Sequence, residues 1–532
     1  MTRTINEIIK TETLKYLDKI DVTNPPAPNV IESELLDNVC NAITCENTVR
    51  DKSERLKKPT ALTFAQIADI MVKLYPICRI SCAGENADTS YDLLAIYQTS
   101  GENEGVYVTD EDTLRRIARQ YNYSLTKREF DEILIAIRDA VPRKTRTHDK
   151  DLIAVNNGIF NYKTKTLEPF SPKYVFMTKS HVNYNPNAKN IIIHNKSDGT
   201  NWDIESWMSD LSDDPDVVNL LWEIIGAIIR PHVRWNKSAW LYSETGNNGK
   251  GTLCELMRNI CGNGAYASIP IADFSKDFML EPLIRASAII VDENDVGTFV
   301  DKAANLKAVI TNDVIALNRK FKSPIAYQFF GFMVQCLNEF PRIKDKSDSF
   351  YRRQLFIPFT KCFTGHERKY IKNDYLHSPE VLEYVLYKVL NMNYYTLSEP
   401  KICKDVLNTY KEYNDPIRLF VDEILPECVW DLLPFTFLYD LYKEWFRKNS
   451  PSGQPVGSTT FKNDLVNAIT NTEWVCKDKH ALIRSDGKMD KPEPLILAYN
   501  LKDWMNSSYR GTDKNKICTP SVKDRYRGIV RS

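Results

Sequence analysis

The segment that most restricts the fold begins at Ser238. Residues 238–242, Ser-Ala-Trp-Leu-Tyr, have the short apolar character of a buried strand. They run directly into Ser243-Glu244-Thr245-Gly246-Asn247-Asn248-Gly249-Lys250-Gly251-Thr252, and a helical pattern follows over 253–260. A strand, a glycine-rich turn and a helix in that order aim backbone N–H groups and a helix N-terminus at one point, which suits a polyphosphate. On this reading Thr245, Gly246, Asn247, Asn248, Gly249, Lys250, Gly251 and Thr252 form the binding loop. Gly249 lets the backbone come close, Lys250 reaches the β and γ oxygens, and Thr252 offers a hydroxyl near a metal ion. The loop departs from the full pattern twice. Glu244 stands where a first glycine is expected, and Gly251 where a metal-binding Ser or Thr is usual. The plain alternative is a Gly/Asn-rich surface turn that precedes a helix.

Residues 286–294, Ala-Ser-Ala-Ile-Ile-Val-Asp-Glu-Asn, form an apolar strand ending in two carboxylates. In a phosphohydrolase Asp292 would hold Mg²⁺ and Glu293 would polarise the attacking water. A third apolar run, 330–337, ends at Asn338, which from a neighbouring strand end could contact a γ-phosphate or the lytic water. Arg352 and Arg353 follow; from there an arginine could reach the nucleotide of an adjacent subunit. As isolated residues they read more simply as surface salt-bridge partners. Residues 314–324 read as two strands around a basic, aromatic tip, with Lys320 and Lys322 available to a phosphate backbone and Phe321 to a base.

At 532 residues the chain is about twice the size at which a single core stops growing, so three or four folded units are expected. Hydrophobic residues are 43% and charged residues 26%, globular values, and no apolar stretch is long enough to span a bilayer. The N-terminus lacks a basic-then-apolar signal pattern, so a cytoplasmic protein, in a host cell if virus- or phage-encoded, is expected. The 12 cysteines are scattered; Cys40/Cys45 and Cys78/Cys82 are the tight pairs, and neither has the two-residue spacing that structural zinc prefers. Lys plus Arg equals Asp plus Glu at 70 each, so no global field advertises a nucleic acid. Any such binding is local, with 143–146, 319–322, 342–353 and the tail 510–531 as basic candidates, although charge runs of this kind are commonly solvated faces.

The pattern suggests a helical unit over 1–85 and a second region over 86–200. In the latter, 93–97 and 105–108 form a hairpin, 110–121 and 127–140 are helices, and 152–170 contains two short strands. A strongly apolar helix lies within 202–230. Strands then alternate with helices to about residue 359, which predicts a largely parallel sheet in a unit covering 201–365. The remainder, 366–532, is helical and aromatic (435–449, 460–470), with strand-like pieces at 474–483 and 495–499.

Taken in order, 245–253, 289–294, 306–322 and 338–359 resemble the superfamily 3 helicases of the AAA+ class, especially the phage and plasmid primase-helicases and the poxviral primase-helicase. Residues 152–186, with Val155-Asn156-Asn157-Gly158, look like the connecting domain that precedes the motor in that branch. The resemblance implies an α/β protein: an AAA+ P-loop motor, a mostly α-helical/α+β N-terminal region and a winged-helix-like C-terminal region. It also implies ATP and Mg²⁺ as cofactors, a homo-oligomeric ring of six subunits, single-stranded or forked DNA in its pore, and a primase, polymerase or loader as partner. By residue it carries nucleotide binding to Gly246, Asn248, Gly249, Lys250 and Thr252, metal and hydrolysis to Asp292 and Glu293, and sensing to Asn338. The arginine finger falls to Arg352 or Arg353, and DNA contact to Lys320 or Lys322. Asp110 and Asp112 are spaced like a metal pair but are more simply helix caps, so no primase centre is expected. An ATP-dependent DNA helicase in the replication of a virus, phage or mobile element is the leading reading. A packaging or remodelling ATPase that does not separate strands, and a small-molecule kinase suggested by Gly-Lys-Gly-Thr, are the alternatives.

Overall fold

The computed structural model describes residues 2–320, 322–365, 368–449, 454–470 and 472–532, and of Lys322 the backbone alone. The chain divides into two compact units, residues 1–404 and 405–532. Among the described residues no helix is long and apolar enough to cross a membrane.

The first unit opens with the helices Ile5–Leu17, Pro28–Asn47 and Phe64–Leu74. Thr4 and Thr63 start two of them with full capping boxes, closed by Glu7 and Gln66. Their apolar faces (Ile8, Leu35, Val39, Ile67) meet Leu114 of helix Glu111–Tyr121 and Ile133 of helix Lys127–Ala140 in one core. Asp110 caps the fourth of these helices by accepting from the amides of Asp112 and Thr113, which is the capping role the sequence suggested. A four-stranded sheet lies beside this core. The expected hairpin partners, Leu93–Tyr97 and Tyr107–Val108, pair antiparallel, and Ile77–Ser81 joins Leu93–Tyr97 on its other edge while pairing parallel with Arg143–Thr145.

Residues 152–168 form a three-stranded meander, Leu152–Val155, Gly158–Asn161 and Thr166–Glu168, one strand more than expected. The apolar stretch 202–230 is two helices rather than one. Ile204–Ser209 stops, Asp214 caps with Pro215 behind it, and Pro215–Ile229 begins anew. The polar interruptions in the second helix are paired: Asn219 donates to Glu223 at 2.8 Å, and the Glu223 carboxylate accepts from the backbone and hydroxyl of Ser398.

The centre of the unit is a five-stranded parallel sheet. Its strands are β1 (Ser238–Tyr242), β2 (Tyr266–Ala267), β3 (Ala288–Val291), β4 (Phe332–Leu337) and β5 (Gln354–Pro358), in the spatial order β2-β3-β4-β1-β5. All four pairings are parallel, as the alternation of strands and helices predicts. One face (Leu241, Ile290, Val334, Ile357) packs on Pro215–Ile229 and on helix α1, Lys250–Cys261. On the other side Trp240 packs edge-on against Phe350 and Phe356, and Tyr242 stacks on Phe340 at 4.2 Å. Each fully buried aliphatic side chain such as Ile290 is worth about 2 kcal/mol, so the sheet is a rigid platform for whatever its edge carries. Between β3 and β4 an antiparallel hairpin, Val314–Arg319 with Lys322–Gln328, stands apart from this sheet.

The second unit contains helices Pro416–Ile424, Phe435–Asn449 and Ser458–Ala468 around Phe420, Trp430, Tyr442 and Phe461. Its three-stranded antiparallel sheet places Gly528–Arg531 between Leu432–Pro434 and Trp474–Val475. Two expectations fail here. Residues 474–483 are not one strand: Trp474–Val475 and Ile483–Arg484 belong to different sheets. Residues 495–499 are a helical turn, Leu495–Ala498, because Pro494 in helical geometry starts it, and four apolar residues carry no period to distinguish strand from helix.

Candidate functional site

Parallel strands bring all their C-terminal ends to one edge, so sheet order decides which loop residues meet. β1 lies between β4 and β5, and β4 between β1 and β3, which gathers the turn after β1, Asn338 after β4, and Asp292 and Glu293 after β3. The Ser243 amide donates to Leu337 O at 3.1 Å, closing the β1 and β4 ends together. The loop itself is held by local bonds. Asn248 caps back on Thr245 O through its side-chain amide, Asn247 has φ +52°, and Gly249, at φ +87°, starts α1. A Cβ on Gly249 would meet Leu211 Cδ2 at 2.7 Å, so both conformation and space require glycine there.

Lys250 is 5% exposed, and its ammonium group donates to Ser243 O (3.2 Å), Leu337 O (3.2 Å) and Asn338 Oδ1 (2.9 Å). Burial draws its pKa below the usual lysine value. The glycine loop and the strand-end asparagine picked out from the sequence are therefore joined through this one side chain.

Gly251 has a steric reason to lack a side chain. A Cβ there would lie 3.3 Å from Asp292 Oδ1, tighter than ordinary contact. Asp292 is half-buried; Oδ2 accepts from Arg258 at 3.1 Å, while Oδ1 is buried and has no hydrogen-bond partner. Arg258, two turns along α1, also reaches Glu255 at 3.3 Å, so it fixes one oxygen of Asp292 and leaves the other facing the loop. Behind the carboxylate Cys254 and Cys336 bring their sulfurs to 3.4 Å, and the three groups form the metal-competent cluster found among the described residues. The Cys336 sulfur and burial push the Cys254 thiol well above its ordinary value, so it is held as a thiol. Thr252 lies on the other flank of the helix start, lining a cavity of about 560 Å³ with Asn247, Gly249, Trp207, Phe363 and Lys372.

Glu293 is exposed next to Asp292. Asn294 is 5% exposed and ties the acidic turn down: Oδ1 accepts from the Ile271 amide at 2.9 Å, and Nδ2 donates to Gln335 Oε1 and Cys336 O at 3.0 Å each. Arg352 is exposed, whereas Arg353 turns back on Ser349, donating to its carbonyl and, at 2.9 Å, its hydroxyl. Both precede β5 and lie level with Ser238, at the opposite sheet edge from the loop. At about 3.3 Å per residue the five-residue strand separates them from their own loop by roughly 16 Å. The hairpin matches the two-strand pattern read for 314–324. Lys320 is exposed at its tip with its amide on Glu281, and Asn318 bonds Asp277 at 2.9 Å. Phe321 and the Lys322 side chain lie outside the described residues. Arg258, Asn294, Cys254, Cys336 and Lys372 are the site residues that sequence reasoning did not single out.

The fold and this edge define a mixed α/β protein in which a strand, glycine turn and helix face an acidic strand end. Sequence comparison is more particular. Residues 32–212 match the D5 N-terminal-like family, 241–353 a family of unknown function (DUF5906), and 412–505 the poxvirus D5 protein-like family. The chain belongs to the D5-like proteins. No curated protein matches it. Among solved structures, an A-form apo structure of the NrS-1 C-terminal region aligns with 88% of this chain and 99% of its own length, at 13% identity and TM-score 0.42. A second A-form apo structure of that region, spanning 305–718, aligns with 88% and 100% at 15% identity and TM-score 0.43.

Proposed function

We propose that this chain is an ATP-driven DNA helicase acting in the replication of a virus, phage or mobile element. The observation that carries this reading is the sheet edge on which Lys250, Asn338 and Asp292 meet. Its support is the order of the parts. The glycine loop follows β1, the acids follow β3 and Asn338 follows β4, with β1 and β3 flanking β4, the arrangement expected of an AAA+ motor. The second unit, in which helix Pro416–Ile424, strand Leu432–Pro434, two helices and two further strands of the same sheet follow one another, supports the winged-helix-like reading of the C-terminal region.

In this reading the loop amides and Lys250 take the β and γ oxygens, the ammonium group exchanging its carbonyl acceptors for phosphate. The unpartnered Oδ1 of Asp292 fits a hard cation, and Mg²⁺ bound there would neutralise charge on the β and γ oxygens. Glu293, exposed at the strand end, orients the attacking water and takes its proton, and Asn338 holds the γ-phosphate side once Lys250 has moved to the oxygens. Arg352, exposed and roughly a strand's length from its own loop, would reach the nucleotide of the next copy in the hexameric ring that the resemblance implies; Arg353 braces the turn beneath it. Lys320 at the hairpin tip contacts the phosphates of a single DNA strand in the pore.

Purified protein with Mg²⁺ and ATP is expected to unwind a forked duplex, and Lys250→Ala to abolish both hydrolysis and unwinding. Unwinding by the Lys250→Ala variant would remove the loop from the mechanism. Hydrolysis stimulated by single strands, without unwinding of a fork of either polarity, would select the packaging or remodelling ATPase instead.

A further inference from the structure

Of the residues assigned a role so far, the loop's Asn247, Gly249 and Thr252 border the cavity beside it, and the rest of its lining has none. We propose that it binds the nucleoside half of the triphosphate, with Trp207 and Phe363 against the base and Lys372 as a second cation on the phosphates. The proposal rests on the nucleotide reading above and extends it to residues on three separate segments of the chain.

Position is the first argument. The cavity borders Asn247, Gly249 and Thr252, so it opens where a phosphate chain lying along the loop would end and its sugar begin. Its volume, about 560 Å³, falls in the usual range for small-molecule sites. Lining is the second. Trp207 and Phe363 are half-buried, their remaining surface open to the cavity, and the buried Trp202 and Ile371 also line it. Aromatic faces of this kind stack on any base, and polar neighbours such as Asp210 and Asn373 supply edge contacts. Phe363 does not depend on a ligand for its place. Its amide donates to Asn247 O at 2.8 Å, and the Asn247 side chain donates to Thr364 Oγ1 at 3.2 Å, which bonds the stretch after β5 onto the loop.

Charge is the third argument. The Lys372 ammonium group lies 3.7 Å from where a Cβ on Gly251 would stand, across from Asp292 Oδ1, and no carboxylate among the described residues pairs with it. Arg368 and Lys369 line the same cavity. Lys372 is thus a half-buried cation beside Gly251 of the loop, where the phosphates of a bound triphosphate would lie.

The test is equilibrium binding of Mg-ATP and of inorganic tripolyphosphate to the full chain, followed by titration calorimetry. Trp207→Ala is expected to weaken ATP at least tenfold and leave tripolyphosphate unchanged, and Trp207→Phe to restore ATP to within about threefold of the parent. Lys372→Met is expected to weaken both ligands about tenfold. Equal losses for ATP and tripolyphosphate in Trp207→Ala, or parent-like binding of both ligands by Lys372→Met, would overturn the proposal while leaving the loop assignment in place. A parent protein that binds neither ligand would remove the nucleotide reading itself and this proposal with it.

Discussion

Asn294 offers the sharpest test of how the acidic turn is positioned. Replacing it by alanine strips an acceptor from the Ile271 amide and a donor from both Gln335 Oε1 and Cys336 O, all inside the protein. A buried polar group left unmatched costs about 1–3 kcal/mol; since a carbonyl keeps a second lone pair and the Gln335 amide retains its bond to Ile269 O, the sum is about 2–4 kcal/mol. In a chain of two units the loss is local, so it is read by amide hydrogen exchange and not from a single melting curve. The expected result is faster exchange at Ile271 and across 292–296, with ATP turnover reduced at least tenfold. Asn294→Asp separates the two roles. It keeps the acceptor for Ile271 but loses both donors and sets a third carboxylate beside Asp292 and Glu293, so protection at Ile271 should recover while turnover does not. Recovery of both, or an alanine variant with unchanged exchange, would refute the claim that this side chain holds the Asp292-Glu293 carboxylates in place.

Gly249→Ala forces a side chain into φ +87° and against Leu211, and should cost about 1–2 kcal/mol in the loop while abolishing ATP binding by calorimetry. Lys320→Ala should lower single-strand affinity and reduce the salt slope by about one unit, leaving basal hydrolysis intact; an unchanged slope would detach the hairpin from DNA. Arg352→Ala mixed into parent protein should depress turnover more than in proportion to its fraction, whereas Arg353→Ala should act through stability, as urea titration would report. Lys165 supplies a pH test. Burial, with Arg230 adding to it, lowers its pKa to about 8, while its ammonium group donates to Leu390 O and Met392 O. The folded value lies below the unfolded one of about 10.4, so the unfolded chain binds more protons between them and stability rises with pH from about 8 to 10.4. Urea midpoints measured over that window should rise in the parent relative to Lys165→Met, and parallel curves would refute the shift.

The residues nearest the chemistry were legible because each ends an apolar run: Ser238–Tyr242 has the same limits in sequence and structure, and the turn behind it, the acids after β3 and Asn338 follow from where such runs stop. What positions them was not. Arg258 reaches Asp292 from a helix face, and Asn294 reaches Gln335 on the neighbouring strand, contacts that exist only once the sheet order is known. Cys254 and Cys336 read as two of many scattered thiols until α1 lies on β4. The misreading at 495–499 has a different source, a run too short for any periodicity to declare itself.

The root of the hairpin repays a mechanical view. Arg146 is 8% exposed, lies over the rings of Tyr327 and Phe330, and donates to Tyr327 Oη, Cys82 O and Gln328 O, while the Gln328 amide donates to Cys82 O at 3.0 Å. Tyr327 Oη in turn donates to Leu283 O. The base of the hairpin is thus riveted to the strand end at Cys82, and it cannot swivel there without breaking buried bonds. Nearer the tip the pairing slips between Leu317 and Arg319, and Asn318 and the Lys320 amide bond to Asp277 and Glu281. The hairpin is in this sense a beam clamped at its root, and a force on Lys320 is delivered as a bending moment to the N-terminal sheet.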